Sequence, residues 1–431
     1  MGRCGLKPPW EDEVTGERNS LLGWIEGERN EILQFYQGLI RERGPNPPGD
    51  TRSSVAFIRR FLDARGLDHR VISPHPEMPN IVATFDGGRA GRHLVLNGHI
   101  DVFPVADAGE GWTKDPWGGE IVEGRIYGRG ASDMKAGTTA SIMTYALLAR
   151  LRDHLPGRLT LTCVSDEETF GPWGARYLIE HHPEVHGDCL LNGEPSGPES
   201  IRFGERGPLW VEFTVRTQGA HGAYVHATKS ATKLAMRLAA DLEELTSFEG
   251  EVSGNIQRAI ELGRPVMDRM MGPGAGDLVS RVTLNIGTIR GGAKVNMVPS
   301  SCAFEADLRL PIGMAKADLL PKIAEIAARC PEATWREVGG SEPSWCDPDH
   351  EMVGIIQRNV EAFGRPRPTP IISLGGTDAR LWRHIGVPAY VYGPYPHGMG
   401  SHDEYVAIEE FLHVVRTHVL SAYDYLTAAT A

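Results

Sequence analysis

Three short apolar runs in this chain give way, within a few residues, to ionisable side chains. His93 to Asn97 leads to His99, Leu159 to Val164 leads to Asp166-Glu167-Glu168, and Cys189 to Leu191 leads to Glu194. Runs of this length, followed by polar clusters and then by helical or turn signals, read as strands of an α/β sheet. Ligands of such sheets collect at the carboxyl ends of strands, and His99, Glu167 and Glu194 all fall there on this reading.

Around these runs, Leu21 to Arg43 and Thr51 to Gly66 read as amphipathic helices, the second with Asp50 as its N-cap. The character changes after Gly204. Leu209, Val211, Phe213 and Val215 alternate with polar residues, as in a strand with one solvated face. A helix from about Thr228 to Leu245, strands near Val282 to Thr288 and Ala303 to Leu310, a helix from Lys316 to Cys330 and a strand near Thr334 to Val338 complete the order βαββαβ, a ferredoxin-like sandwich. From about Gly340 the α/β character returns, with Val353 to Phe363 helical, Ala389 to Tyr392 a strand and Glu409 to Leu426 a closing helix. Two domains are therefore expected: 1–204 with 340–431, and an insertion at 205–339. Ser247 to Asp277 is extra to the sandwich and is expected to be a loop or short helix of its own.

Composition narrows the partners. A formal net charge of -12 provides no basic field for phosphate backbones or anionic lipid, so neither nucleic acid nor membrane is expected. No stretch approaches the roughly 18 apolar residues of a spanning helix, and the start MGRCGLKPPWEDEV lacks a signal-peptide pattern, so a cytoplasmic location is expected. The cysteines Cys4, Cys163, Cys189, Cys302, Cys330 and Cys346 lie far apart with no C-x-x-C spacing, which argues against disulfides and thiolate zinc sites. Any metal would be held by histidines and carboxylates.

The chemistry-bearing residues fall in five short segments. In Asn97-Gly98-His99-Ile100-Asp101, the Asp two residues beyond the histidine suits a carboxylate that orients a ligating imidazole. Asp133 in Gly130-Ala131-Ser132-Asp133-Met134-Lys135 opens a helix, either as a plain N-cap or as a carboxylate with one oxygen for each of two metals. Asp166-Glu167-Glu168 is either a solvated turn or, directly after a buried strand, an acidic cluster that needs a cation nearby, leaving one Glu to bind and its neighbour to act as base. Glu194 in Asn192-Gly193-Glu194-Pro195 and His402 in Gly400-Ser401-His402-Asp403-Glu404 complete a nitrogen and oxygen shell that suits zinc or cobalt.

In that combination and order the segments resemble the two-zinc hydrolase family of aminoacylase, acetylornithine deacetylase, succinyl-diaminopimelate desuccinylase and glutamate carboxypeptidase, from about Asn19 to the C-terminus. The resemblance implies an α/β zinc-peptidase-like catalytic domain, its mixed sheet flanked by helices, interrupted by a ferredoxin-like lid and dimerisation domain. It implies two divalent metal ions, zinc with cobalt or manganese as alternatives. His99 and Glu194 would hold one, Glu168 and His402 the other, and Asp133 would bridge them. Glu167 becomes the general base, Asp101 orients His99, and His221 in Gly219-Ala220-His221-Gly222 becomes the lid histidine that reaches the oxyanion, in dimeric members from the partner subunit.

The family holds a substrate carboxylate with segments similar to those around Asn296, Arg309 and Gly376-Thr377-Asp378-Ala379-Arg380. Arg309 is the preferred clamp, since a guanidinium binds a carboxylate in bidentate fashion; the alternative is a strand arginine paired to Asp307. Gly376 and Thr377 form an anion-binding turn or simply a turn, and Arg380 is a substrate contact or an ion-pair residue. Glu at 194, where the family's aminopeptidases and dipeptidases tend to have Asp, tilts the expected substrate toward an N-acyl amino acid or related small amide. A carboxypeptidase or dipeptidase with the same site is the second reading, and a non-catalytic homologue that binds or regulates is the third. Phe170, Pro172 and Trp173 depart from the smaller or more flexible residues commoner in the family and, with 247–277, would reshape the acyl pocket, which suggests a larger or aromatic substrate. A homodimer through the inserted domain is expected, by its helix Thr228 to Leu245 or by a strand edge.

Overall fold

The computed structural model describes residues 9–105 and 110–428, apart from the side chains of 9–15; Cys4 lies outside them. The chain packs as two compact units. One runs to Arg202 and includes Cys346–Pro370 and Thr377 onward; the other is Phe203–Trp345 with Ile371–Gly376.

The first unit is built on a mixed sheet in the order Arg70–His75, Met78–Asp86, Pro156–Val164, Arg89–His99, Cys189–Asn192 and Ala389–Val391. Arg89–His99 runs parallel to both of its neighbours, and Cys189–Asn192 runs parallel to Ala389–Val391, while the two outer strands are antiparallel. The last six residues of Arg89–His99 are all buried, as are the last six of Pro156–Val164, without alternation. Both faces are therefore covered, the usual state of parallel strands. Register then dictates where the chemistry falls. His99 sits opposite Val164 and Asn97 opposite Asn192, so the residues that follow each strand leave the sheet at one end.

Two helices cover this sheet with little polar surface. Ala136–Ala149 is buried from Ala136 through Leu148, which fits a sequence apolar or small on every side. The closing helix Ile408–Thr427 packs against it and is itself mostly buried. Gly137 and Gly193 let the start of the first helix touch the turn after Cys189–Asn192; a side chain at either would run into the other's backbone. Among the described residues, no helix is long and apolar enough to cross a membrane.

Several expected elements differ in detail. The helix expected over Leu21 to Arg43 is two, Pro9–Gly27 and Arg29–Arg41, with the break at Glu28. The next helix begins at Arg52, so Thr51 rather than Asp50 is its flanking residue, although Asp50 still accepts the Arg52 amide at 3.2 Å. The strands Arg70–His75 and Met78–Asp86 had no strong signal in the sequence, because each mixes prolines and polar residues into a short run.

The second unit carries a four-stranded antiparallel sheet in the order Thr283–Gly291, Ser301–Leu310, Gly207–Arg216, Ala333–Gly340. With the helices Ala231–Asp241 and Lys316–Ala328 this is the expected βαββαβ order. Leu209, Val211, Phe213 and Val215 are fully buried against those helices, as their alternation requires, and the Phe213 ring stacks on Phe304 at 4.8 Å. The extra segment, expected as a loop or short helix, forms a helix of 18 residues, Gly254–Met271. Its buried Ala259, Ile260, Gly263, Val266 and Met267 recur at helical spacing despite Pro265.

Candidate metal centre

At the carboxyl end of its strand, His99 is completely buried and surrounded by acids. Its Nε2 lies 3.1 Å from Asp133 Oδ1 and 3.2 Å from Glu194 Oε1. On the other side, Nδ1 is 2.9 Å from the Asp101 carbonyl and 3.5 Å from Asp101 Oδ1, so the main chain and carboxylate of one residue both fix the ring. Burial disfavours a charged imidazole, yet hydrogen bonds to Asp101, Asp133 and Glu194 outweigh it and raise the His99 pKa well above the ordinary value.

Asp101 has a second task that its spacing from His99 did not reveal. Its carboxylate accepts the amides of Glu167 at 3.3 Å and Glu168 at 3.1 Å, and Asn46 Nδ2 at 2.9 Å. It therefore ties two strand ends together. Burial works against its charge, but His99, Asn46 and the Glu168 amide keep its pKa below the ordinary value.

The acidic triplet divides its labour. Asp166, in a left-handed conformation, turns inward to accept Thr169 Oγ1, the Trp173 amide and Asn46 Nδ2, a structural use of its charge. Glu167 and Glu168 each bury an Oε1 that has no hydrogen-bond partner. The solvated-turn alternative is thus excluded for Glu167, which is only 8% exposed. Burial raises both pKa values well above the ordinary range, with His99 opposing the shift in each case and Asp378 adding to it at Glu167 and Asp133 at Glu168. Glu194 is pushed up to about 7, first by burial and next by Asp133.

Ligand atoms of His99, Asp133 and Glu194 all lie within 4.8 Å of one another. Several carboxylates pressed together in a buried site, two of them with unpartnered oxygens, are costly unless a cation joins them. The residues present therefore fit a divalent metal, and their nitrogen and oxygen donors are of the kind such ions take. Asp133 is not a simple N-cap: the regular helix begins only at Ala136, and Asp133 itself has non-helical backbone angles, in the irregular turn Ala131–Lys135.

His402 is placed differently. It is exposed, its ring meets the edge of Trp112 at 6.3 Å between centroids, and it is not one of the three converging ligands. Glu404, two residues on, reaches the loop that carries Asp133, accepting the Ser132 amide at 2.8 Å and the Asp133 amide at 3.1 Å. Arg129 is drawn into the same contact, 2.7 Å from Glu404. Neither Glu404, Arg129 nor Asn46 was singled out in the sequence. Glu404 and Arg129 adjoin segments that were, whereas Asn46 lies in a Pro-rich turn with no distinguishing signal.

Among the expected substrate residues of the first unit, Thr377, Asp378 and Arg380 are all buried. Arg380 is an ion-pair residue: its guanidinium lies 3.6 Å from Glu167 Oε1 and 4.1 Å from the Phe170 ring centroid, and donates to the Thr377 carbonyl. In the second unit, Arg309 pairs with Asp307 at 2.9 Å, the alternative its neighbours allowed. His221 and Asn296 are exposed and line a cavity of about 810 Å³ together with Arg290 and Lys294. The His221 Nδ1 accepts the Ala223 amide at 3.2 Å, which leaves Nε2 free to carry the proton. Gly376 falls in this unit, at the end of Ile371–Gly376.

Comparison with known proteins gives a consistent result. The chain is 30% identical over 399 residues to the succinyl-diaminopimelate desuccinylase of Cereibacter sphaeroides, covering 89% of this chain and 97% of that protein. Its fold resembles Sso-CP2, an M20 family metallo-carboxypeptidase from Sulfolobus solfataricus, with a TM-score of 0.80 at 17% identity over 92% of this chain and 100% of that one. It also resembles the YXEP protein of Bacillus subtilis, a dinuclear metal binding peptidase from the M20 family, with a TM-score of 0.64 at 15% identity over 93% and 99% of the two chains. The model of Peptidase family M20/M25/M40 matches residues 95–424, and with so much of the chain covered, this protein belongs to that family of hydrolases.

Proposed function

We propose that this chain is a two-metal-dependent amidohydrolase that removes the acyl group from an N-acyl amino acid or related small amide, with Glu167 as general base. The observation that carries this reading is the strand-end cluster, where His99 meets Asp133 and Glu194 while Glu167 and Glu168 keep buried oxygens unbonded. His99 and Glu194 would hold one ion, Glu168 and His402 the other, and Asp133 both. Zinc is the expected metal, with cobalt or manganese as substitutes. When bound, such ions supply Lewis acidity and a water of lowered pKa.

The protein's own groups do the rest. Glu167 takes a proton from the attacking water on its unbonded Oε1 and returns it to the departing amine nitrogen. Arg380, packed on Phe170, holds that carboxylate in place. Asp101 keeps the His99 ring oriented. His221 donates to the developing oxyanion, and Arg309, Asn296, Gly376, Thr377 and Asp378 are the remaining candidates for recognising the substrate. In this reading 205–339 is a lid and dimerisation domain inserted between 1–204 and 340–431, and the enzyme is a homodimer through it.

The desuccinylase relatives, matched over nearly their whole length, favour a deacylase. A metallo-carboxypeptidase or dipeptidase is the second reading, favoured by the fold likeness to a carboxypeptidase. Turnover of succinyl, acetyl and aromatic N-acyl amino acids beside a panel of dipeptides, with chelation and metal add-back, decides between them. Preference for dipeptides overturns the deacylase reading; no gain from bulky acyl groups removes the larger-substrate expectation drawn from Phe170 and Trp173. Glu167→Ala should lower kcat by roughly 10²–10⁴-fold with metal content unchanged, and full turnover by this variant would remove Glu167 from its role.

A further inference from the structure

Glu404 is a buried carboxylate that the proposed chemistry does not use, yet it is among the most heavily hydrogen-bonded side chains near the site. Its Oε1 accepts the Ser132 amide at 2.8 Å, Ser132 Oγ at 3.0 Å and the Asp133 amide at 3.1 Å. Its Oε2 accepts Arg129 Nη1 at 2.7 Å and the Gly130 amide at 3.2 Å. A carboxylate offers about four lone-pair directions, so five donors leave it no spare capacity. It cannot also bind substrate or metal.

Its position in the chain gives this arrangement a consequence. Arg129 grips Glu404 with one nitrogen and the Ser401 carbonyl with the other, at 2.9 Å, so one guanidinium holds the residues on both sides of His402. The Gly128 amide adds a bond to the Glu404 carbonyl at 2.9 Å. The loop that presents Asp133 and the loop that presents His402 are thereby fastened to each other through one buried ion pair. Both loops are otherwise irregular, and His402 itself is exposed.

We infer that Glu404, acting with Arg129, is the positioning residue that sets Asp133 and His402 in register as ligands of a shared metal, an inference that rests on the two-metal reading above. A group that orients ligands in this way should matter to metal affinity beyond its effect on stability, by about 10–100-fold where outer partners of ligands have been removed in other sites.

Titration of the metal-free full chain with Co(II), followed by its visible absorption, tests this. Glu404→Gln puts an NH2 group among donors and should weaken the second Co(II) equivalent by about 10–100-fold and the first by less. Glu410→Gln is the control: Glu410 is also a buried acid, but it accepts one main-chain amide, from Tyr395, seven residues before His402, and bonds to neither the Asp133 loop nor Ser401–Glu404, so it should lower thermal stability with both equivalents unchanged. Should Glu404→Gln fail to fold, Arg129→Lys, which cannot span Glu404 and Ser401 together, should weaken the second equivalent several-fold. A folded Glu404→Gln that binds both equivalents like the parent overturns the positioning role alone, as does an equal loss in Glu410→Gln or an unchanged Arg129→Lys. A parent chain that takes up only one equivalent overturns the two-metal reading and this inference with it.

Discussion

Two regions of the first unit bury histidines equally and use them in opposite ways. His99, at the end of its strand, and His418, on the closing helix, are both fully buried. Three acids surround His99 and raise its pKa, against the effect of burial. His418 has only the Tyr392 carbonyl, 2.6 Å from Nε2, and its Nδ1 has no hydrogen-bond partner, so burial lowers its pKa to about 4. His413, bonded to the Tyr392 hydroxyl at 2.7 Å, is likewise lowered to about 3. Burial does not mark a ligand. What marks one is buried negative charge within reach of the ring, since that charge is costly to the fold until a cation arrives.

The most forceful way to break the comparison is to remove one ring from each region. His99→Ala should abolish the tighter metal equivalent and with it turnover, a loss beyond the roughly 10–100-fold that follows from removing an outer partner of a ligand. His418→Gln should keep full metal content and cost stability only, on the order of 1–3 kcal/mol for one buried polar group. Metal analysis and thermal melts of the two variants decide it. If His418→Gln lost metal as His99→Ala does, the distinction drawn from neighbouring acids would fail.

That distinction was half legible in the sequence. Short apolar strands followed by His99, Glu167 and Glu194 placed those residues at one end of a sheet, because parallel register leaves little freedom in where a strand's last residue points. The alternation of Leu209, Val211, Phe213 and Val215 likewise foretold which face of its strand is buried. Loops carry no such periodicity. The bond from Asn46 to Asp166, the Arg380 pair with Glu167 and the Glu404 fastening all depend on contacts between segments far apart in the chain. Spacing cannot report those contacts. The outer strands were missed, and the helix Gly254–Met271 was expected only as a loop or short helix, for a related reason, as prolines and glycines weaken local signals that tertiary packing then overrides.

Acid titration sharpens the same comparison, with opposite signs in the two regions. The folded pKa of His418 lies below its ordinary 6.5, so its contribution is fully present above pH 6.5 and is lost as pH falls toward about 4, on the order of 3 kcal/mol in all. Glu194, in metal-free protein, is raised from 4.5 to about 7, so its contribution is present below pH 4.5 and is lost as pH rises through 7. The raised His99 acts in the same direction as Glu194. Urea unfolding of metal-free protein from pH 4 to 8 should therefore show His418→Gln with a shallower rise with pH, His413 keeping the rest, and Glu194→Gln with a shallower fall, His99, Glu167 and Glu168 keeping the rest. Matching slopes in the two variants would show that the regions do not differ as described.

The smallest expected effect concerns the open side of the site. Gly111 has a φ of +88°, and a Cβ there would lie 2.8 Å from His402 Cε1 and 2.9 Å from Nε2, so the exposed ring is closely backed by main chain. Asp403 fastens that backing strand of chain by accepting the Thr113 amide and Thr113 Oγ1, each at 2.8 Å. Gly111→Ala must adopt a left-handed backbone, at roughly 1–2 kcal/mol, and must push the imidazole aside. Because the strand-end cluster does not touch Gly111, the tighter metal equivalent should be unchanged and the weaker one reduced several-fold, with global stability lowered by no more than that roughly 1–2 kcal/mol. Isothermal titration with Co(II) reads both equivalents at once. An equal loss in the two would mean that His402 and the buried cluster share one rigid frame, and the contrast between a preformed half and a loop-borne half of the site would have to be abandoned.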